Sequence, residues 1–210
     1  MSEAYTSIGS TSEANIATRS KTASKKPKGI PHMRMSKSVM IWSRDILIAL
    51  AIALIIMQFI KPTIVRQQSM ENTLHPDNYI FLSKQAYKLG DVHRRDIVVF
   101  KSDLEAGDGS NKNLIKRVIG LPGDRVAIHD GGVYVNGNLL NEPYTKDGTT
   151  EGTMDEIVVP EKELFLLGDN RQGSMDSRFA EVGCVPEDLL IGKAVFRLLP
   201  LKDIGPLTNK

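Results

Sequence analysis

Residues 46–60, ILIALAIALIIMQFI, hold one polar side chain, Gln58, between Arg44–Asp45 on one side and Lys61–Pro62 on the other. A helix lying on a soluble core shows polar residues at helical spacing along its outward face, and no such stripe interrupts this run. Fifteen helical residues span roughly 22 Å, short of the roughly 30 Å hydrocarbon core of a bilayer. Adding Val39–Trp42, with the aliphatic stem of Arg44 lying along apolar surface, reaches that length. Residues 39–60 are therefore read as a transmembrane helix. A cleavable signal peptide is the alternative, but its positive region would be unusually long, and no small-x-small site follows at residues 61–67, so an uncleaved anchor fits better.

Charge sets the expected orientation. Residues 1–45 carry eight basic residues against Glu3, Glu13 and Asp45, leaving 19 of the 27 basic and 22 of the 25 acidic residues after the anchor. Lysine and arginine ahead of the helix keep the N-terminus in the cytoplasm by the positive-inside rule, which places residues 61–210 on the far side of the cell membrane. Residues 1–38, rich in Ser, Thr, Lys and Ala without an apolar period, read as a disordered basic tail that meets an anionic lipid surface. The acidic balance of the body argues against nucleic acid as a partner.

The body reads as mainly β. DNYIFLSK, RDIVVFK, LIKRVIG, DRVAIHDGGVYVNGNLL, ELFLLGD and IGKAVFRLLP are short apolar runs separated by Gly, Asp, Asn and Pro. HDGG and VNGN carry hairpin turn signals. Strands at this spacing without intervening helical periods predict an antiparallel, barrel-like β-domain closed on itself. Cys184 is the one cysteine, set between apolar neighbours, and reads as a small buried hydrophobe.

Ser69, in RQQSMENTLH, opens the chemistry. A serine hydroxyl is a weak nucleophile until a base takes its proton. None of His32, His75, His93 and His129 sits in a motif that would aim it at a serine. A lysine serves only when neutral, and at the ordinary pKa near 10.4 about one in a thousand is neutral near pH 7.5. Burial among apolar groups lowers that pKa by disfavouring the charged form. In NLIKRVIGLPGD, Lys116 falls within a strand-like run whose alternation puts Leu114 and Val118 on its face. Spacing alone leaves a second reading open, in which Lys116 or Arg117 is an outward residue of a half-exposed strand.

Three blocks, in order, resemble the type I signal peptidases, membrane-anchored serine endopeptidases with a Ser–Lys dyad. SMENTL is similar to the family's S-M-x-P-T-L, KRVIGLPGD to K-R-x-x-G-x-P-G-D, and GDNRQGSMDSR to G-D-N-R-x-x-S-x-D-S-R. The resemblance implies cleavage of N-terminal signal peptides from exported preproteins through an acyl-enzyme on Ser69, with Lys116 as general base. It implies that Ser174 bonds and orients the lysine amine, and that Asp169, Asn170, Arg171, Asp176 and Arg178 brace the site. Ser69 would give its backbone N–H to the oxyanion hole, while Met70, Leu114 and Ile115 would lie at the pocket for the residue before the cut. Small side chains at the first and third positions before the cut are the implied substrate signature.

Two positions depart from the pattern. Asn72 stands where the family has proline, which removes some rigidity from the Ser69 loop. Gln67 stands where some members carry a hydroxyl that completes the oxyanion hole, and either its amide or a backbone group is left to serve. Gly120, Gly123 and Asp124 read as a turn and not a phosphate loop, the dispersed histidines lack metal-ligand spacing, and Asp169 with Asp176 reads as part of an ion-pair network, so no cofactor or metal is expected. A self-cleaving Ser–Lys regulator would need a soluble DNA-binding module where this chain has an anchor. An inactive, partner-binding homologue would have lost Ser69, Lys116 or Ser174, and all three are present.

Overall fold

The computed structural model describes residues 37–105, 109 and 111–207. The tail read over residues 1–38 lies outside the described residues up to position 36. Helix α1 spans Lys37–Phe59, beginning two residues ahead of the expected anchor. Its portion Val39–Phe59, 21 residues, is long and apolar enough to cross a membrane. Trp42, Leu47, Ile52 and Met57, distributed around the helix, are all exposed. A helix apolar on every side is at rest in hydrocarbon and not in water.

The body is built from antiparallel strands. A larger sheet runs in the order β1 (Ile60–Ile64), β2 (Tyr79–Ser83), β11 (Leu190–Leu199), β3 (Ile97–Glu105), β4 (Asn111–Gly120), β9 (Glu163–Leu167) and β10 (Val185–Pro186), with β12 (Gly205–Pro206) on β11. A smaller sheet has the order β7 (Asn138–Leu139), β6 (Gly132–Val135), β5 (Arg125–His129) and β8 (Met154–Val158). Each of the six apolar runs of the sequence falls on one or more strands. Both hairpin signals form two-residue turns, Asp130–Gly131 between β5 and β6 and Asn136–Gly137 between β6 and β7. All four turn residues have positive φ, the combination that lets a turn follow the twist of its strands.

Closure into a barrel is not realised: the larger sheet has two ends, β1 and β10. The reason is local. Strand β1 contains Pro62, which lacks an N–H to give and belongs at an edge. On the other side of the gap, β9 pairs with β4 only over Arg117–Gly120, so the first half of β4 has one unpaired edge. The result is an open slot between two strand edges. Strand β1, β8 with its two acidic residues, and the short helix α2 (Ala86–Leu89) have no counterpart among the six apolar runs.

Three buried clusters meet at β4. Ile115 joins Val65, Met70, Leu74, Ile80 and Val99, Ile119 joins Val126 and Phe165, and Leu114 and Val118 join Val98, Phe100 and Leu166. Every β4 residue from Leu114 to Gly120 is buried. That removes the half-exposed reading of Lys116, which is 1% exposed.

Candidate active site

Three segments assemble the site: the loop after β1, the middle of β4 and the loop after β9. The first is a tight coil in which the Glu71 N–H donates to Gln68 O at 3.1 Å and the Thr73 and Leu74 N–H groups donate to Met70 O at 2.9 and 2.7 Å. Met70 and Leu74 are wholly buried beneath it, so the apolar core fixes the loop from below. From the side, the Asn170 N–H donates to Ser69 O at 3.0 Å and its Nδ2 to Gln68 O at 3.2 Å. Arg197 Nη1 adds a bond to Thr73 O at 2.9 Å. Ser69, 4% exposed, is therefore held through its own backbone.

Lys116 Nζ donates to Ser69 Oγ at 2.8 Å, and Ser69 Oγ lies 3.4 Å from Ile115 O. The Lys116 amine has its pKa lowered from 10.5 to about 8: burial is the largest influence, Asp176 opposes it, the Arg178 cation adds to it, and Asp169 opposes it. Each of those carboxylates has its own arginine. Arg178 Nε and Nη2 reach Asp176 at 2.8 and 3.0 Å, and Arg117 Nε and Nη2 reach Asp169 at 2.8 and 2.6 Å. Two carboxylates that would keep the lysine charged are thereby offset, and desolvation wins. With a pKa about 8, roughly a quarter of the amine is neutral at pH 7.5. When neutral, the amine has a lone pair that can accept the serine proton, which would reverse the direction of the 2.8 Å bond. Such a pair performs nucleophilic acyl transfer.

The third block forms the frame. The Gly168 N–H donates to Asp176 Oδ2 at 3.0 Å, Arg171 Nε donates to Gly168 O at 3.0 Å, and Arg178 Nη2 donates to Arg171 O at 2.5 Å. Arg171 also grips Glu142 with two bonds at 2.7 and 2.8 Å and contacts Thr150 Oγ1. Thr73 Oγ1 donates to Asp169 Oδ2, and Arg117 stacks 4.0 Å over the Tyr144 ring. Asp169, Asn170, Arg171, Asp176 and Arg178 are thus brought together as a brace. Ser174 is brought to the site without its implied bond: its hydroxyl is buried and has no hydrogen-bond partner among the described residues.

Gly168 is the residue of this frame that sequence reasoning passed over, although it stands inside the third block. A Cβ there would lie 2.5 Å from Ser69 O and closer still to the Ser174 hydroxyl. Gly168→Ala is expected to cost about 1–3 kcal/mol of stability by overpacking. Displacing Ser69 by even ~1 Å should cost kcat/KM on the order of 100-fold. Urea titration beside a cleavage assay checks both, and an alanine variant with wild-type turnover would refute the close approach. Glu142, Thr150, Thr73 and Arg117 were also missed as braces, the first two because 29 and 21 positions separate them from Arg171.

A groove of about 380 Å³ leads to the dyad between residues 63–67 and 111–115. Its apolar wall includes Val65, Ile80, Val99, Leu114 and Ile115, with Gln67 at the end nearer Ser69. Met70 does not line it, lying in the core instead. Cys184 is partly buried against the cluster of Ile119 and Phe165, and burial, reinforced by Glu163, pushes its thiol up to about 11.

A family model described as signal peptidase, peptidase S26, matches residues 39–199. That span holds the anchor-like helix, Ser69, Lys116 and the third block, and it makes this chain a membrane-anchored serine endopeptidase. Signal peptidase I of Bacillus licheniformis is 36% identical over 173 residues, covering 78% of this chain and 90% of that protein. Signal peptidase I T of Bacillus subtilis (strain 168) is 33% identical over 204 residues, covering 92% and 97%. A crystal structure of a signal peptidase I from Enterococcus faecalis V583 is 31% identical, covers 49% of this chain and 96% of its own, and superposes with a TM-score of 0.41. The chain belongs to the signal peptidase I family, and its activity is the removal of signal peptides from preproteins.

Proposed function

We propose that Ser69 is the nucleophile and Lys116 the general base of this cleavage. The observation that carries the reading is the 2.8 Å contact between a lysine amine and a serine hydroxyl that are 1% and 4% exposed. Ser69 Oγ adds to the scissile carbonyl carbon as its proton passes to Lys116 Nζ. The developing oxyanion meets the Ser69 N–H, which has no partner among the described residues, and a second donor, a role we assign to the half-buried Gln67 amide. Collapse breaks the C–N bond, and the Lys116 ammonium protonates the departing amine, the new N-terminus of the mature protein. Water, deprotonated by the same amine, then hydrolyses the ester on Ser69 and frees the signal peptide.

The substrate lies extended in the groove as an added strand. Its first and third side chains before the cut are small and face the apolar wall near Leu114 and Ile115. Ser174 orients the amine as Lys116 changes charge, which gives its buried hydroxyl a partner. Incubating the purified protein with a secreted preprotein and sequencing the product tests the reading; an uncut preprotein, or one equally cut by Ser69→Ala, would refute it.

The tail is cytoplasmic and residues 61–210 lie outside, in contact with lipid and preprotein and not with nucleic acid. Exposed Met175 and Phe179, in and next to the third block, support contact with an apolar phase. Protease added to spheroplasts is expected to digest the body and spare the tail; the reverse pattern would overturn the orientation. A protein trimmed to residues 61–210 is expected to fold and to cleave peptides in detergent, with access to membrane-bound preprotein reduced more than turnover. A folded trimmed protein inactive in every detergent would show that the body is not self-contained.

A further inference from the structure

The groove has a charged rim that the chemistry above does not use. Residues 63–67 end two positions before Ser69, and residues 111–115 end one position before Lys116, so both flanks run in the same chain direction toward the dyad. A substrate with its reacting carbonyl at Ser69 and its preceding residues in the groove lies parallel to both, advancing about 3.3 Å per residue. At the far end, the Thr63 hydroxyl is buried and has no hydrogen-bond partner among the described residues. It offers a bond to a chain that runs the full length of the groove.

Alternation along an extended chain turns the first and third residues before the cut toward the apolar wall and the second and fourth outward. Arg66 is three residues before Ser69, and Lys112 is three before Ile115, whose carbonyl faces the Ser69 hydroxyl. Both are exposed groove-lining residues, and neither forms an ion pair with any described residue. Asp77, whose N–H donates to Val65 O, and Glu105, opposite Asn111, stand on the adjoining segments and pair with neither cation. The outward fourth residue of a bound substrate passes between Arg66 and Lys112.

We propose that Arg66 and Lys112 select substrates by charge at the fourth residue before the cut, favouring an acidic side chain there and disfavouring Lys or Arg. The proposal rests on Ser69 being the nucleophile and the groove holding the residues before the cut. The cations act on binding and on the choice among preproteins, and not on the bond-breaking step.

The test uses the full-length protein in detergent and one parent peptide carrying Asp, Asn or Lys at the fourth position before the cut. The expected kcat/KM ratio of Asp to Lys is about fivefold to tenfold at low salt, the scale of exposed charge pairs acting together. At about 1 M salt, where the screening length is roughly 3 Å, the ratio should approach one. In the Arg66→Gln, Lys112→Gln double variant the ratio should fall below about twofold at low salt, the same scale with both cations removed. A wild-type ratio near one, or a ratio unchanged in the double variant, would overturn the proposal while leaving the dyad intact. Failure to cut the Asn peptide at all, or equal cutting by Ser69→Ala, would remove the catalytic reading and the proposal with it.

Discussion

Lys116→Met is expected to yield an inactive protein that is more stable than the wild type. The fold lowers the lysine pKa from 10.5 to about 8, chiefly by burial. At about 1.4 kcal/mol per pKa unit, holding this lysine charged inside the native protein costs roughly 3 kcal/mol. The sign follows from proton counting. Below pH 8 both native and unfolded states are protonated and the whole cost is present. Between about 8 and 10.5 the unfolded state binds more protons than the native one, so wild-type stability rises with pH across that window. Methionine fills similar space without the charge, and a gain of about 1–3 kcal/mol at pH 7, with no slope from this position above pH 8, is expected in urea titrations. Catalysis should show the same ionisation: wild-type kcat/KM rises with pH and levels off above about 8. Lys116→Arg and Ser69→Ala should be as inactive as Lys116→Met, and the Ser69→Ala, Lys116→Met pair little worse than either alone. A methionine variant that is less stable, or that still cleaves, would remove Lys116 from the dyad.

The second large effect belongs to Arg117 and Asp169. Their side chains are 1% and 0% exposed and joined by two bonds. Removing one partner strands a charge in the interior, and Arg117→Met is expected to cost about 3–5 kcal/mol. Arg117→Met with Asp169→Leu should recover a large part of that loss, because neither charge is then buried alone. Activity should not recover with it, since Asp169 also accepts from Thr73 in the Ser69 loop. Urea denaturation of the two single variants and the pair measures the coupling, and strictly additive losses would show that the ion pair is not what holds these residues.

The parts of the site legible in the sequence are those in short continuous blocks. Ser69 follows the anchor by nine residues, Lys116 lies in an apolar alternation, and one eleven-residue stretch carries the arginines and carboxylates of the frame. What stayed hidden depends on chain segments that meet only after folding. Glu142 gave no signal because its partner Arg171 lies 29 positions on, beyond both β8 and β9. Ile80 and Val99 read as ordinary strand residues, and only the approach of residues 63–67 to residues 111–115 makes them walls of a groove. Strand β1 was obscured because IKPTI continues the anchor's apolar run and contains a proline, and β8 because adjacent Asp and Glu break the alternation of MDEIV. Expected closure failed for a related reason: strand content can be read from alternation, but whether the last edge finds a partner cannot.

The unpaired stretch of β4 has a consequence for how these molecules live together on a crowded membrane. A bare strand edge welcomes any extended chain, including the same edge of a neighbouring copy, and such pairing is how β-proteins begin to aggregate. Here Pro62 takes one donor out of β1, and Arg66 and Lys112 would bring four like charges face to face if two grooves met. Repulsion among these cations opposes self-pairing of the groove, and the same opening that admits an extended chain is thereby guarded against a second copy of itself.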